Sequence, residues 1–534
     1  MRKLAVLLLT CLGSSVAAQD GPAPVPAPVP AAEATQTGMD HAGMNHADMT
    51  APKVPQILPG YGTGGFAITT KVPRAQAFFD NGMQLAHAFA HKAAIAAMAE
   101  AVRLDPQCAM CLWGQAWASG PTINYGKTAD ELTPLAALVD KAEGLAKTSG
   151  TDRERGLIRA LNLRYQDGGG GKPGDLAFAK AMNTLAARYP TDDEIAVMAA
   201  DAWLMTEAKA NTDWKLNAET AMPLLEGVLK RHPDNTAAIH FYIHATEAAG
   251  APALAERYAV RLAGLAPRAS HLVHMPSHTY YWVGRYQDAA DANVRAVEIG
   301  VENARALGLP PPDGVWGLPY HVHNVTYGLG GALEAGDAKA ALALGRPLVE
   351  RSQGQGAASP FSQVIAASGY FAMARFASPA DVLALPQPKL PTLVVAWHYA
   401  RGEALAKQAD ANGVRTEAAA IRGLTGKLSD DDGSRQAQQL TLIARNVLLG
   451  RAAMLDKSPA TAAIAFRQAA EEQEGESFSM LSDPPGWYYP VRRDLAQALL
   501  ASGDREGAKR EAQAALAYRA KDPGTLALLK DMGS

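Results

Sequence analysis

The segment His271-Leu-Val-His274-Met-Pro-Ser-His278 carries three imidazoles at spacings of three and four residues. On an α-helix, which turns about 100° per residue, these rings fall within roughly 60° of arc and make one stripe. His240 and His244 form an i, i+4 pair on one helical face, and His321-Val-His323 adds two more rings, so that seven of the thirteen histidines lie between 240 and 323. Neutral imidazoles suit copper, zinc, iron or nickel rather than calcium or magnesium, and on equal ligands copper wins by the Irving–Williams order. His240, His244, His271, His274, His278, His321 and His323 are therefore candidate ligands of a transition metal, with copper favoured and zinc or iron as alternatives. Glu247, three residues beyond His244, is a candidate carboxylate ligand, an orienter of a ligand, or a catalytic general base. A mostly-histidine site with an open position activates water or, with copper or iron, handles oxygen or electrons. The competing reading is a metal-free groove whose histidines hydrogen-bond within the protein or to a peptide or protein partner.

Two further clusters can bind metal. Met39, His41, Met44, His46 and Met49 alternate thioether and imidazole, a ligand mixture that suits copper in both oxidation states; the plain alternative is a solvated linker. Cys108 and Cys111 are three residues apart, with no histidine after Cys111 to make a haem-attachment motif. A local disulfide, metal ligation and thiol–disulfide exchange remain open for this pair.

Arg2 and Lys3, the apolar run from Leu4 to Leu12 and Val16-Ala17-Ala18 read as a secretory signal peptide over residues 1–18, which predicts a periplasmic or secreted protein. No later segment has the run of about 18 uncharged apolar residues that spans a membrane. From 19 to 65 the chain is rich in alanine and proline, carries the Met/His cluster, and is expected to be a disordered tail. The formal net charge of −3 gives no basic footprint for nucleic acid.

The histidines need helices to hold them in phase. Ala75 to Cys108 places Phe78, Gly82, Leu85, Ala94, Met98, Ala101 and Pro106 at positions 4, 8, 11, 20, 24, 27 and 32 of a unit, which resembles the tetratricopeptide repeat (TPR) of about 34 residues. Pro267 and the turn Gly284-Arg-Tyr-Gln-Asp-Ala289 set further units starting at Thr236 and Ser270. Gly336-Asp337 and Gly503-Asp504 set others near Val322 and Tyr489. Less regular units fill 151–190, with a glycine loop at 168–171, then 192–233 and 361–480.

The resemblance implies an all-α, TPR-like α-solenoid. A His-lined N-terminal part would cover 66–385 and C-terminal helical hairpins 386–534, divided at the proline-rich 383–391. It also implies that positions 2, 5 and 9 of each leading helix face the groove. His240 and His244 take positions 5 and 9 of one unit, and His271, His274 and His278 take 2, 5 and 9 of the next. Packed helices lie about 8–10 Å apart, close enough for such rings to meet. Pro276 predicts a kink beside them.

With Asp105-Pro-Gln-Cys108-Ala-Met-Cys111-Leu-Trp113-Gly, His240-Phe-Tyr-Ile-His244-Ala, the 271–278 block, His323-Asn324 and Gly486-Trp487-Tyr-Tyr-Pro, the chain is similar to a group of exported bacterial TPR proteins. That likeness implies the architecture and the residue set over about 70–525, and brings no reaction with it.

Overall fold

The computed structural model describes residues 55–166, 172–207, 211–354, 358–421, 431–479, 481 and 484–533. The signal segment, the Met39–Met49 cluster and the 168–171 loop lie outside the described residues. What is described is helix joined by short turns, and the one β-type pairing among the described residues is an isolated bridge between Thr122 and Tyr125.

Local sequence explains where helices start. Thr128 and Thr151 make capping boxes with Glu131 and Glu154, and the Asn235 side chain accepts from the Ala238 amide to open Thr236–Ala248; each side chain satisfies a backbone N–H that the helix leaves without a partner. Alanine supplies both propensity and close approach. Ala94, Ala101, Ala142 and Ala146 are wholly buried between neighbouring hairpins.

The helices pair as repeats should: Pro73–His87 with His91–Leu104, Thr236–Ala248 with Glu256–Leu265, and His321–Ala335 with Ala338–Gly354. Repeat starts read at Thr236 and Ser270 coincide with helix starts; those read near Val322 and Tyr489 fall at His321 and Arg492. Pro276 breaks the expected single helix into Ser270–His274 and Pro276–Trp282. Met275 between them keeps right-handed helical dihedrals (φ −51°, ψ −37°), so the phase of the histidine stripe survives the break.

Residues 55–65, assigned to the tail by composition, are instead strapped along the repeats. Asn81 exchanges two hydrogen bonds with the Leu58 backbone, at 2.9 and 2.8 Å. The Arg268 amide donates to Gly60 O (3.0 Å), and the Thr63 amide to Thr236 Oγ1 (2.8 Å). The Gly65 amide donates to Glu194 Oε1 (3.1 Å), and just beyond it the Thr69 amide donates to Glu154 Oε1 (2.6 Å). The strap thus crosses the starts of four leading helices in reverse order. It is held through backbone polar groups, which a composition argument does not weigh. Gly62 and Gly65 have positive φ, and a Cβ on either would collide with Thr236 or Asp80.

The proline-rich 383–391 segment joins the short helix Pro379–Leu383 to the long helix Pro391–Lys407 while one apolar core passes it without a break, with Phe371 before it and Leu393 and Tyr399 after it in the same cluster. Trp487 and Tyr489 are fully buried in that core, against Phe371, Tyr399 and each other. The array folds back on itself at two places. The end of the Pro73–His87 helix meets Thr236–Ala248, and Arg519 donates to Glu334 (2.6 Å) and Tyr281.

Candidate metal centre

Six of the seven predicted ligands meet in one buried cluster. His240, His244 and His271 bring one ring nitrogen each to within 4.8 Å of one another, as do His274, His278 and His323. All six residues are between 0 and 5 % exposed. They come from three consecutive leading helices, which is the convergence the repeat phase required. A peptide lying in the groove would not reach these rings in this arrangement.

Hydrogen bonds fix which nitrogen of several rings faces inward. His240 Nδ1 lies 2.8 Å from the His87 carbonyl, which can only accept, so Nδ1 carries the proton. His274 Nδ1 lies 2.6 Å from Asn293 Oδ1, and Asn293 Nδ2 donates to Ala289 O (2.8 Å), which fixes the amide orientation. His278 Nδ1 donates to Glu247 Oε2 (2.8 Å), while Trp282 Nε1 donates to Glu247 Oε1 (2.7 Å). Glu247 therefore has the orienting role among the three expected for it. A carboxylate behind a ligating imidazole fixes the tautomer and strengthens the ligand.

The inward nitrogens then stand unusually close. His274 Nε2 is 2.9 Å from both His278 Nε2 and His323 Nε2, and His271 Nε2 is 3.2 Å from His240 Nε2. With the Nδ1 protons of His274 and His278 committed elsewhere, two lone pairs face each other, and something positive must lie between them. A second proton on His278, balanced by Glu247, is one solution; a metal ion is the other. Burial and the neighbouring imidazoles push His240, His271, His274 and His323 well below the ordinary histidine range, so at neutral pH these rings are neutral and available as ligands. Burial would raise Glu247; the charge and N–H of His278, with His244 and Trp282, outweigh it and hold the carboxyl below its ordinary range.

His321 does not join. Its ring packs edge-on to Trp316 at 4.7 Å, and burial brings it down to about 4. Residues two apart on a helix point about 200° apart, so His321 and His323 cannot share a face. Cys108 and Cys111 form a buried disulfide at the start of Ala109–Ala118, which takes up both thiols, and neither joins a metal-ligand group.

Several neighbours were not foreseen. Phe89 and Tyr320 both have positive φ, 55° and 66°, a conformation that costs a bulky residue on the order of 1–3 kcal/mol. Both rings press on His271, at 4.8 and 4.4 Å between centroids. Tyr327 covers His278 at 4.5 Å and His274 at 5.1 Å; it lies four residues after His323, where helical spacing could have revealed it. Asp201 is buried beyond the first triad, and burial pushes it up to about 6 against the pull of Arg164, His87 and His244.

No protein-family model matches the chain, and no curated protein matches it. Among solved structures, human IFIT1 with m7Gppp-AAAA is similar over 84% of this chain and 91% of its own, at 13% identity and a TM-score of 0.31. Yeast Tom70 is similar over 86% and 88%, at 10% identity and 0.29. The TPR domain of P58(IPK) is similar over 86% and 97%, at 10% identity and 0.22. These superpositions are loose, and the α-solenoid assignment rests on the helix pairing described above.

Proposed function

We propose that this is an exported TPR-like protein that holds a transition metal, copper favoured, on the six buried histidines 240, 244, 271, 274, 278 and 323. Its work would be metal handling or a metal-dependent reaction in the periplasm or outside the cell. The observation that carries the reading is the facing of His274 and His278 through Nε2 at 2.9 Å while both Nδ1 atoms are committed to acceptors. The donor set also fits: six imidazoles, with a carboxylate behind one and an amide behind another, are borderline ligands of the kind copper, zinc and iron take. Copper is preferred on affinity order, and the Met39–Met49 cluster of the tail supplies a second set of copper-suited ligands. A protein partner remains the role a TPR-like surface would serve outside this buried cluster.

Elemental analysis of untagged protein tests the proposal. Metal should accompany the chain in stoichiometric amount and fall on replacing His274 and His278 together by alanine. Unchanged metal in that variant would exclude these residues, and absence of metal after reconstitution with copper, zinc and iron would end the reading.

A further inference from the structure

The two triads are not two separate places. Across them, His271 and His274 stand 5.5 Å apart between ring centroids and His244 and His278 stand 5.6 Å apart. Within them five of the six pairs stand between 4.5 Å (His274 and His323) and 5.7 Å (His278 and His323) apart. The rings therefore stand as close across the boundary as inside it, and the six form one continuous shell with two sets of three inward nitrogens.

Charge narrows the occupant. An unbalanced charge in a buried shell is expensive, and the carboxylate bonded to this shell is Glu247, on His278. Two monovalent ions leave one positive charge beyond this carboxylate; two dications leave three. Three neutral imidazoles also bring no charge of their own to each ion, and imidazole is a ligand that copper takes.

Resting on the metal-binding reading above, we infer that the six histidines form a dinuclear copper(I) centre, one ion per triad, which takes up dioxygen between the two ions. The step balances. One electron leaves each copper(I), both enter dioxygen, and the O–O bond order falls from two to one. The product is a bridging dianion between two copper(II) ions, no proton moves, and reversal releases dioxygen. The total charge of the buried shell is the same before and after, so the oxygenated state needs no counter-charge that the reduced state does not. Phe89, Tyr320 and Tyr327 wall the shell with aromatic carbon, which keeps water from the ions and passes a small apolar gas more readily than a hydrated ion.

The test uses the untagged full chain with Met39, His41, Met44, His46 and Met49 replaced by alanine so that the tail adds no copper, loaded with copper(I) without oxygen, desalted, analysed for copper, and then exposed to dioxygen. Two coppers per chain are expected, with one dioxygen taken up per pair. The copper(II) electron-spin signal should stay far below the copper content, because two bridged copper(II) ions pair their spins. In His271→Ala, checked for its fold by circular dichroism, one copper should remain and its full spin signal should appear on oxidation. One copper in the chain that keeps His271, or two with a full spin signal, overturns the dinuclear centre while leaving metal binding intact. Retention of no copper overturns both, and the two failures are told apart by the copper count alone.

Discussion

The two histidine triads use the same ligand type, yet the protein supports them differently. In the 274/278/323 triad, two rings are oriented by side chains from other helices: Asn293 behind His274, and Glu247, itself held by Trp282, behind His278. In the 240/244/271 triad, His240 is set by the backbone carbonyl of His87, while His271 Nδ1 has no hydrogen-bond partner among the described residues and its ring is clamped by Phe89 and Tyr320 instead. Hydrogen bonds fix a ring's rotation and basicity; aromatic packing fixes its position and leaves rotation freer. The first arrangement favours retention and the second exchange, so the 274/278/323 triad should bind tighter and the 240/244/271 triad should be the one that trades ions.

The sharpest way to break this contrast is His274→Ala. Its Nε2 is the atom that both His278 and His323 approach, so its loss should empty that triad while leaving the other loaded. Metal per chain should halve, as read by elemental analysis after desalting. Equal loss from both triads would mean that they are not distinct. Glu247→Gln is the next step down. It keeps the shape and removes the charge behind His278, and outer-shell changes of this kind cost roughly 10–100-fold in metal affinity. Competition against a chelator of known affinity should show that loss in the tighter of two binding steps only.

Most of this contrast was out of reach of the sequence. The repeat phase was legible because glycine and proline mark turns, and the histidine stripes followed because period 3.6 is a property of the backbone. His321 falls outside both groups, since a two-residue step cannot keep one face. The strap at 55–65 was missed because its anchors are backbone groups bonded to Thr236, Glu194 and Arg268 far along the chain, and no local pattern encodes them. Asn293 is one polar residue in an otherwise ordinary second helix, and its role exists only once His274 faces it. The spacing of Cys108 and Cys111 left three chemistries open, and only the packing of that turn brings the sulfurs together.

Acid should weaken the metal-free protein. Burial lowers His91 from an ordinary 6.5 to about 4, aided by Lys127, and the buried cluster rings are lowered in the same direction. Below the unfolded value the denatured chain takes up protons that the folded chain refuses until about pH 4, so the unfolded state binds more protons in that window. Stability is therefore fully present above about pH 6.5 and lost as pH falls towards 4, by up to roughly 3 kcal/mol for a group shifted as far as His91. Urea titrations of metal-free protein at pH 7.5 and 5 measure it. Bound metal should carry the transition to lower pH, with protons released on loading if His278 holds the proton that the ion displaces.

The smallest effect sharpens the contrast most cleanly. Tyr320→Phe keeps the ring against His271 and removes the hydroxyl that accepts from Asn124 Nδ2 at 3.1 Å. Loss of one such hydrogen bond should lower unfolding free energy by about 1 kcal/mol, and the metal content should not change. Exchange of isotopically labelled copper should quicken at the 240/244/271 triad alone, because Tyr320 touches His271 directly and its ring centroid lies 6.4 Å from His323, the nearest ring of the other triad that it meets. If both triads quicken equally, the aromatic clamp is not what sets their difference, and the hydrogen bonds that His274 and His278 donate to Asn293 and Glu247 do not suffice to hold the tighter ion apart from its neighbour.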